Sequence, residues 1–427
     1  MGDIIQHDHS GDGVDRRGFL KCMAWAGTGA LWAIQGGVLR SVPLTRLTDL
    51  SGLGGGGGGE LFFAQISDSH IGFAKQANPD VTATLQEAVD RLNRLPHRPA
   101  FVLHTGDISQ LSKSSEFDTA DQVLRGIRTD RVWFVPGEHD VLEDNGRGYL
   151  DRYGREARGD GWYSFDHAGV HFVGLVNVLN LKAGGLGNLG PTQLDWLKRD
   201  LAGRSTSTPI VVFAHIPLWT VYPDWGWGTD DSEQALALLR RFGSVTVLNG
   251  HIHQVMQKVE GNVAFHTAMS TAFPQPAPGT APSPGPLTVE PARLRSLLGL
   301  TSVTYHQGHH ALAVVDSPLG VAPGGAAAPA AAPRREHTAA AVVGDGLAIR
   351  IDNFSFQPPQ VRVPRGGKVT WINGDDVPHL IASADGKFKP SSALDTNDQY
   401  TLTFDQPGSY RYFCTLHPRM TGLVVVE

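Results

Sequence analysis

The sequence predicts a chain of two domains, a mixed α/β domain followed by an all-β sandwich. Between residues 60 and 317, apolar runs of strand length alternate with segments whose apolar residues recur every three or four positions. From 345 to 427, short alternating strands are separated by turn residues. The Ala- and Pro-rich segment 318–344 has the composition of a linker. A chain of 427 residues also exceeds one ordinary domain of about 100 to 200 residues.

The N-terminus resembles a twin-arginine export signal. Arg16 and Arg17 stand shortly before the apolar run CMAWAGTGALWAIQGGV. The alternative is an amphipathic or membrane-spanning helix, but this run contains glycine and is shorter than the roughly 20 apolar residues that a span needs. We therefore expect a signal peptide over 1–40, a Gly-rich spacer over 41–59, and a mature protein that is periplasmic or secreted and has no transmembrane span.

The charge of the chain limits its partners. The formal net charge is -6 with histidine neutral, and the sequence contains no long basic block. A nucleic-acid polymer or an anionic membrane surface is therefore not expected as a partner. Small charged substrates remain compatible with this charge.

The strands of the α/β region are predicted from apolar runs: LFFAQIS, AFVLHTG, RVWFVPG, VHFVGLV, PIVVFAH and SVTVLNG. Helices are predicted between them, as where Leu194, Leu197 and Leu201 fall on one helical face. Ligands of such sheets bind beyond the carboxyl ends of the strands. The residues that follow the strands are therefore the candidates for function.

Five of these strands are followed by carboxylates or imidazoles. The residues are Asp68 and His70; Asp107; Glu138, His139 and Asp140; His215; and His251 and His253. A single His-x-His is a weak signal, but five equivalent placements in one domain are not. Carboxylates and imidazoles together suit divalent metal ions, and two such ions can share a bridging carboxylate.

This order of motifs resembles the calcineurin-like metallophosphoesterase superfamily, and GDISQLSKSSEF with NGHIHQ is most similar to its bacterial cyclic-nucleotide phosphodiesterase branch. The resemblance implies a four-layer α/β/β/α sandwich with a dinuclear centre. It places one metal on Asp68, His70, Asp107 and His253. It places the other on His215, His251, Glu138 and the shared Asp107. It gives His139 the role of general acid or charge stabiliser beside the leaving group.

Two divalent ions, Mn, Fe or Zn, would serve the chemistry that the resemblance implies. A metal-bound water loses its proton more easily than bulk water, which supplies a hydroxide nucleophile for a small anionic phosphoester. Glu138 departs from the family, which usually has Asn there, and its charge favours a harder ion such as Mn or Fe. Gln110 stands where purple acid phosphatases carry the tyrosine that binds ferric iron, so a purple centre is not expected.

An aromatic loop follows His215. Its four large side chains are Trp219, Tyr222, Trp225 and Trp227. These rings could stack on a nucleobase, or they could simply pack the loop. The sequence leaves both interpretations open.

The C-terminal region combines His379, Cys414, His417 and Met420. Two imidazoles, a thiolate and a thioether form the ligand set of a blue-copper site. The region resembles a cupredoxin of the plastocyanin, pseudoazurin and amicyanin group, which implies a Greek-key sandwich, one type 1 copper and a redox partner protein. Signal cleavage would remove Cys22, so the mature chain would have one cysteine and no internal disulfide.

Taken together, the sequence predicts an exported dimetal phosphoesterase with an attached type 1 copper domain. Its substrates would be phosphodiesters or phosphomonoesters, with compounds like cyclic nucleotides favoured. The alternative is a copper-binding or electron-transfer protein in which the phosphoesterase fold is a non-catalytic scaffold.

Overall fold

A computed structural model describes residues 30–35, 38–43, 60–306, 312–321, 342–343 and 346–427. The arginine pair, and most of the predicted spacer and linker, lie outside these residues. Two antiparallel strands, β1 (Ala30–Gln35) and β2 (Val38–Pro43), lie near the junction of the predicted signal and spacer. Among the described residues, no helix is both long and apolar enough to cross a membrane.

The α/β domain contains two sheets. The first is formed by β3 (Glu60–Ile66), β4 (Val102–His104), β5 (Val132–Phe134), β12 (Gly299–His306) and β13 (Ala313–Pro318), in the order β13-β12-β3-β4-β5. The second is formed by β6 (Tyr163–His167), β7 (Val170–Gly174), β8 (Ile210–Phe213), β9 (Val245–Asn249), β10 (Gln257–Glu260) and β11 (Val263–Thr267), in the order β10-β11-β9-β8-β7-β6. The neighbours β3-β4-β5 and β7-β8-β9 run parallel, so their carboxyl ends lie along one edge of each sheet.

The described part of this domain also contains six α-helices: α1 (Val81–Asn93), α2 (Ser114–Leu124), α3 (Arg147–Tyr153), α4 (Pro191–Leu201), α5 (Ser232–Leu239) and α6 (Pro291–Leu297). Helices α1 and α2 pack on the first sheet, and α4 and α5 pack on the second.

The alternating side chains of the strands explain the layers. In β3, Leu61 and Phe63 enter the core between the two sheets, while Ala64 and Ile66 face the helices. In β8, Val211 and Phe213 enter the same inter-sheet core. Because successive side chains point to opposite faces, each strand contributes to two cores. The predicted four-layer α/β/β/α sandwich is confirmed.

The C-terminal domain is a β-sandwich, as predicted. One sheet contains β14 (Val342–Val343), β15 (Gly346–Ile351), β16 (Phe356–Gln357), β18 (Gly367–Asn373) and β20 (Gln399–Phe404). The other contains β17 (Gln360–Val363), β19 (Ile381–Ser383), β21 (Gly408–Cys414) and β22 (Thr421–Val426). Trp371 of the first sheet packs edge-on against Tyr412 of the second, with ring centroids 5.2 Å apart. This contact lies in a core that draws on both sheets.

The two domains pack against each other, and residues 59–427 form one compact unit. The backbone N–H of Gly184 donates to the carbonyl of Pro418 at 2.6 Å, and Arg419 Nη1 donates to the Gly184 carbonyl at 2.8 Å. On another side of the contact, Lys75 Nζ lies 3.3 Å from Asp395 Oδ1. The loop that carries the predicted copper ligands therefore faces the α/β domain.

Candidate functional site

The residues predicted to hold two metals come together at the carboxyl ends of the parallel strands. One cluster consists of Asp68, His70 and His253, and a second consists of Glu138, His215 and His251. Within each cluster the ligand atoms lie within 4.8 Å of one another.

Asp107 lies between the two clusters. Its Oδ2 is 3.5 Å from His70 Nε2 of the first cluster and 3.2 Å from His215 Nε2 of the second. His139 also lies in the site, because its backbone N–H donates to Asp107 Oδ1 at 3.0 Å. The structure thus brings together all eight of the residues that sequence analysis associated with the dinuclear centre.

The chemistry of the donor set fits bound cations. Glu138 Oε2 and His215 Nε2 lie 3.1 Å apart, yet each is a buried atom with no hydrogen-bond partner among the described residues. In the other cluster, His70 Nε2 and His253 Nε2 face each other at 3.2 Å. Buried polar atoms without partners are costly, and a cation held between them would satisfy them.

Burial and charge set the protonation of these ligands. Burial lowers the pKa of His70 to about 3, so its imidazole is neutral at neutral pH. Burial alone would raise the pKa of Asp68, but the imidazoles of His253 and His215 lower it overall. The pKa of Glu138 is likewise lowered by His251 and His215 against the opposing effect of burial. Ionised carboxylates and neutral imidazoles are the forms that bind metals. Burial alone would lower the pKa of His215, but Asp107 and Glu138 raise it well above its usual value, so a bound cation would have to displace a proton from this imidazole.

Backbone hydrogen bonds orient the imidazoles. His215 Nδ1 lies 2.7 Å from the Thr105 carbonyl, and His253 Nδ1 lies 2.6 Å from the Phe273 carbonyl. His70 Nδ1 instead lies 2.9 Å from Gln110 Oε1, so the residue found in place of the family's tyrosine supports a ligand. A partner on Nδ1 leaves Nε2 to face the metal position.

The backbone of the site is strained. Asp68, His70, Asp107, His251 and His253 all have positive φ, between 40° and 72°. This conformation is unfavourable for residues other than glycine by roughly 1–3 kcal/mol each, and it clusters at functional sites. It turns each ligand sharply away from the end of its strand.

Glycines of the motifs allow close approach of the ligands. A Cβ at Gly137 would lie 2.0 Å from Asp107 Oδ1, and a Cβ at Gly250 would lie 2.6 Å from Asp68 Oδ2. Both distances are below van der Waals contact. The absence of a Cβ at these glycines therefore leaves room for the two carboxylates.

Gly137→Ala should consequently displace Asp107. We expect turnover to fall at least about 100-fold, because a shift of about 1 Å in a catalytic group has that effect. The matched control is Gly243→Ala, where the nearest heavy atom to the new Cβ is the Thr206 carbonyl at 3.7 Å. Equal kcat/KM for both variants would contradict this account of Gly137.

The predicted copper ligands also converge. Cys414 Sγ lies 3.6 Å from Nδ1 of both His379 and His417, and the two Nδ1 atoms are 3.3 Å apart. Cys414 is fully buried and unpaired, and Met420 is buried in the same core. Burial would raise the pKa of the Cys414 thiol, but His379 lowers it overall. Soft sulfur and two imidazoles facing one point fit copper.

Comparisons with known proteins match the two domains separately. Residues 63–255 match the calcineurin-like phosphoesterases, and residues 345–427 match the copper-binding proteins of the plastocyanin/azurin family. Amicyanin of Paracoccus versutus is 39% identical over 93 residues, which cover 21% of this chain and 70% of amicyanin. The chain joins a calcineurin-like phosphoesterase domain to a plastocyanin/azurin-family copper domain.

Relatives of the phosphoesterase domain are less similar. The serine/threonine-protein phosphatase CPPED1 of Danio rerio is 28% identical over 227 residues, covering 46% of this chain and 71% of that protein. The glycerophosphodiester phosphodiesterase GpdQ of Enterobacter lignolyticus is 27% identical over 228 residues, covering 51% of this chain and 79% of that protein. One relative is named as a phosphatase and the other as a diesterase. The shared class is phosphoester hydrolysis.

A carboxylate that the sequence analysis did not single out supports the copper domain. Asp375 Oδ2 lies 2.9 Å from His379 Nε2, on the side of the ring opposite the copper position. It also accepts hydrogen bonds from the backbone N–H groups of Asn353 and Phe354. Burial alone would lower the pKa of His379, but Asp375 and Cys414 raise it to about 9. Asp375 stands four residues before His379, and this spacing is the only sequence signal for its role.

We expect Asp375→Asn to weaken copper binding by about 10- to 100-fold, because it loosens a ligand's orientation. In the metal-free protein, copper must displace a proton from His379, so wild-type affinity should rise with pH up to about pH 9. Asp375→Asn should lower the pKa of His379, so the rise in copper affinity should occur at lower pH. Titration against a competing chelator at several pH values measures both effects. Asp405→Asn, at an exposed position of the same domain, is the control. If the pH dependence of copper affinity were the same in Asp375→Asn and the wild type, the proposed role of Asp375 would be wrong.

The aromatic loop divides into two groups. Trp219 is buried and packs on Phe265 at a centroid distance of 5.0 Å, so it belongs to the core and cannot stack on a ligand. Trp225 and Trp227 line a cavity beside the metal-binding residues, although Trp227 is almost fully buried. Of the two interpretations of the loop, packing is correct for Trp219, because its ring lies in the core between the second sheet and its helices.

Proposed function

We propose that the chain is a dinuclear metal-dependent phosphoesterase that hydrolyses small phosphodiesters or phosphomonoesters. The observation that carries this proposal is the pair of three-residue clusters with Asp107 between them. In the second cluster, the buried ligand atoms Glu138 Oε2 and His215 Nε2 have no hydrogen-bond partner within the described part of the chain. The family of the domain supports the same reaction. Two divalent ions, when bound, would neutralise phosphoryl charge and activate water.

The side chains have distinct proposed roles. Asp68, His70 and His253 would hold one ion, Glu138, His215 and His251 would hold the other, and Asp107 would be available to both. His139 serves as general acid or charge stabiliser at the leaving oxygen. The Gln110 carbonyl lies 2.8 Å from His139 Nδ1, which fixes the ring and directs Nε2 toward the site.

The decisive test of this function is metal-dependent turnover. The full chain, loaded with Mn, is assayed on bis(p-nitrophenyl) phosphate and p-nitrophenyl phosphate, before and after removal of metal by a chelator. We expect turnover that disappears with the chelator and returns with Mn. Absence of turnover under Mn, Fe and Zn loading would favour the alternative, a copper protein with a non-catalytic scaffold.

Glu138 is proposed to be a true ligand in place of the family's asparagine. Its Oε1 lies 2.9 Å from His251 Nδ1, and its other oxygen faces His215. Glu138→Ala should reduce the non-copper metal content from about two ions per chain to about one and reduce turnover with it. Glu143→Ala, at an exposed position nearby, should retain both ions. Unchanged metal content in Glu138→Ala would show that Glu138 is not a ligand.

The copper domain is proposed to hold one type 1 copper on His379, Cys414, His417 and Met420. Its relation to amicyanin suggests electron exchange with a redox partner protein. In this structure, the loop between Cys414 and Met420 packs on the phosphoesterase domain, so a partner would have to approach another face of the copper domain. Export by the twin-arginine system, to the periplasm or beyond, stays a prediction.

A further inference from the structure

The copper domain covers the mouth of the phosphoesterase site. Pro418 and Arg419, next to the copper ligands, hydrogen-bond with Gly184 of the phosphoesterase domain. Phe354 of the copper domain lies against Gly285, where an added Cβ would be 3.2 Å from the phenyl ring. These contacts enclose space between the two domains.

This space consists of two adjoining cavities. The inner cavity, of about 30 Å³, is lined by five of the proposed metal ligands and by Phe354, Val377 and His417 of the copper domain. The outer cavity has a volume of about 130 Å³. Five residues line both cavities: Trp225, His251, Pro284, Phe354 and His417. The shared walls make the outer cavity the continuation of the metal site.

The outer cavity is largely apolar. Leu181, Leu186 and Ile216 line it from the phosphoesterase domain, and Leu416 and Met420 line it from the copper domain. Its volume is close to that of an apolar cavity of about 150 Å³ that holds one benzene molecule. A single aromatic ring or a short aliphatic group would fill it, whereas a nucleoside would extend beyond it.

We propose that the copper domain completes the substrate pocket of the phosphoesterase. The phosphoryl group lies next to His251 at the metal site. The organic substituent that stays on phosphorus, rather than the leaving group, occupies the outer cavity between Leu181 and Leu416. This inference rests on the proposed phosphoesterase function and narrows the substrate to esters with an organic group no larger than about one ring. It disfavours nucleotide-sized substrates, including the cyclic nucleotides that the sequence favours.

The first test compares two diesters with the same leaving group, methyl p-nitrophenyl phosphate and thymidine 5′-(p-nitrophenyl phosphate). For the Mn-loaded full chain, we expect kcat/KM to be at least about 10-fold higher for the methyl ester, a ratio that pocket shape can supply. Equal values for the two esters would overturn the proposal. Absence of metal-dependent turnover with both would instead refute the proposed function itself.

Two variants change the pocket from opposite sides. Leu181→Trp narrows it from the phosphoesterase domain and should lower kcat/KM for the methyl ester at least about 10-fold, mainly through KM. Phe354→Ala opens it from the copper domain and should reduce the preference for the methyl ester. Phe388→Ala removes a ring of the copper domain that lines neither cavity, so kcat/KM for both esters should stay at the wild-type values. Unchanged kinetics in Leu181→Trp would overturn the proposal even if Phe354→Ala fails to fold.

Ligand binding can also be observed without turnover. Because His417 lines both cavities, a ligand in the pocket should perturb the visible absorption of bound copper. Titration of the copper- and Mn-loaded chain with phenylphosphonate should give a saturable spectral change whose midpoint equals its inhibition constant. Leu181→Trp should raise this midpoint at least about 10-fold, and Phe388→Ala should not. Inhibition at saturation without a spectral change would place the ligand elsewhere and overturn the proposal.

Discussion

Asp107→Asn should abolish phosphoester hydrolysis while leaving the copper domain intact. Asp107 lies within 3.5 Å of ligand atoms in both clusters, so its loss should affect both proposed metal positions. Loss of one group that stabilises charge in the transition state lowers the rate about 10²- to 10³-fold. Asp107 would contribute to holding two such groups, the two metal ions. We therefore expect kcat/KM to fall at least about 10³-fold.

The copper domain provides an internal control for this variant. If the chain remains folded, Asp107→Asn should bind one copper and show the same visible band as the wild type. Asp130→Asn changes an exposed carboxylate of the phosphoesterase domain and should retain full hydrolytic activity. Wild-type turnover in Asp107→Asn, with copper bound normally, would exclude Asp107 from the centre.

Cys414→Ser should eliminate the visible thiolate-to-copper absorption. Cys414 is the proposed thiolate ligand, and its Sγ is fully buried and 3.6 Å from Nδ1 of both imidazoles. Replacing a soft thiolate by a hydroxyl should reduce Cu(I) affinity by more than the 10- to 100-fold that loss of a supporting partner costs. Spectroscopy and competition with a Cu(I) chelator measure the two effects.

Cys414→Ser also tests whether the surface of the copper domain or the oxidation state of its copper affects hydrolysis. Cys414 lines neither interdomain cavity, so hydrolysis of methyl p-nitrophenyl phosphate should stay within about twofold of the wild type. Equal rates with Cu(I), Cu(II) and Cys414→Ser would show that the domain contributes its surface. A rate that follows the oxidation state would show that copper regulates hydrolysis.

The approach of some proposed metal ligands could be predicted from sequence because it depends on a local rule. Parallel neighbouring strands end at one edge of a sheet, so Asp68 and Asp107 had to lie close together. The approach of His215 depends in addition on how the second sheet packs against the first. The copper ligands were identifiable for a similar reason, since Cys414 and His417 are separated by one short loop. At the copper site, the short spacing of Cys414 and His417 in the sequence limits their separation in space.

Features that depend on distant surfaces could not be predicted. Trp219 and Trp225 belong to one aromatic loop, yet only tertiary packing places the first in the core and the second beside a cavity. The contact of Arg419 with Gly184 joins residues that are 235 positions apart. Its formation depends on the complementary shapes of two folded domains, which no local pattern encodes.

The central claim is that two cations lie at these strand ends. Crystals of the Mn-loaded full chain, measured at the manganese absorption edge, test it most directly. We predict two anomalous peaks about 3.5–4 Å apart, one among Asp68, His70 and His253 and the other among Glu138, His215 and His251. A single peak, or none at these residues while the enzyme is fully loaded, would contradict the account.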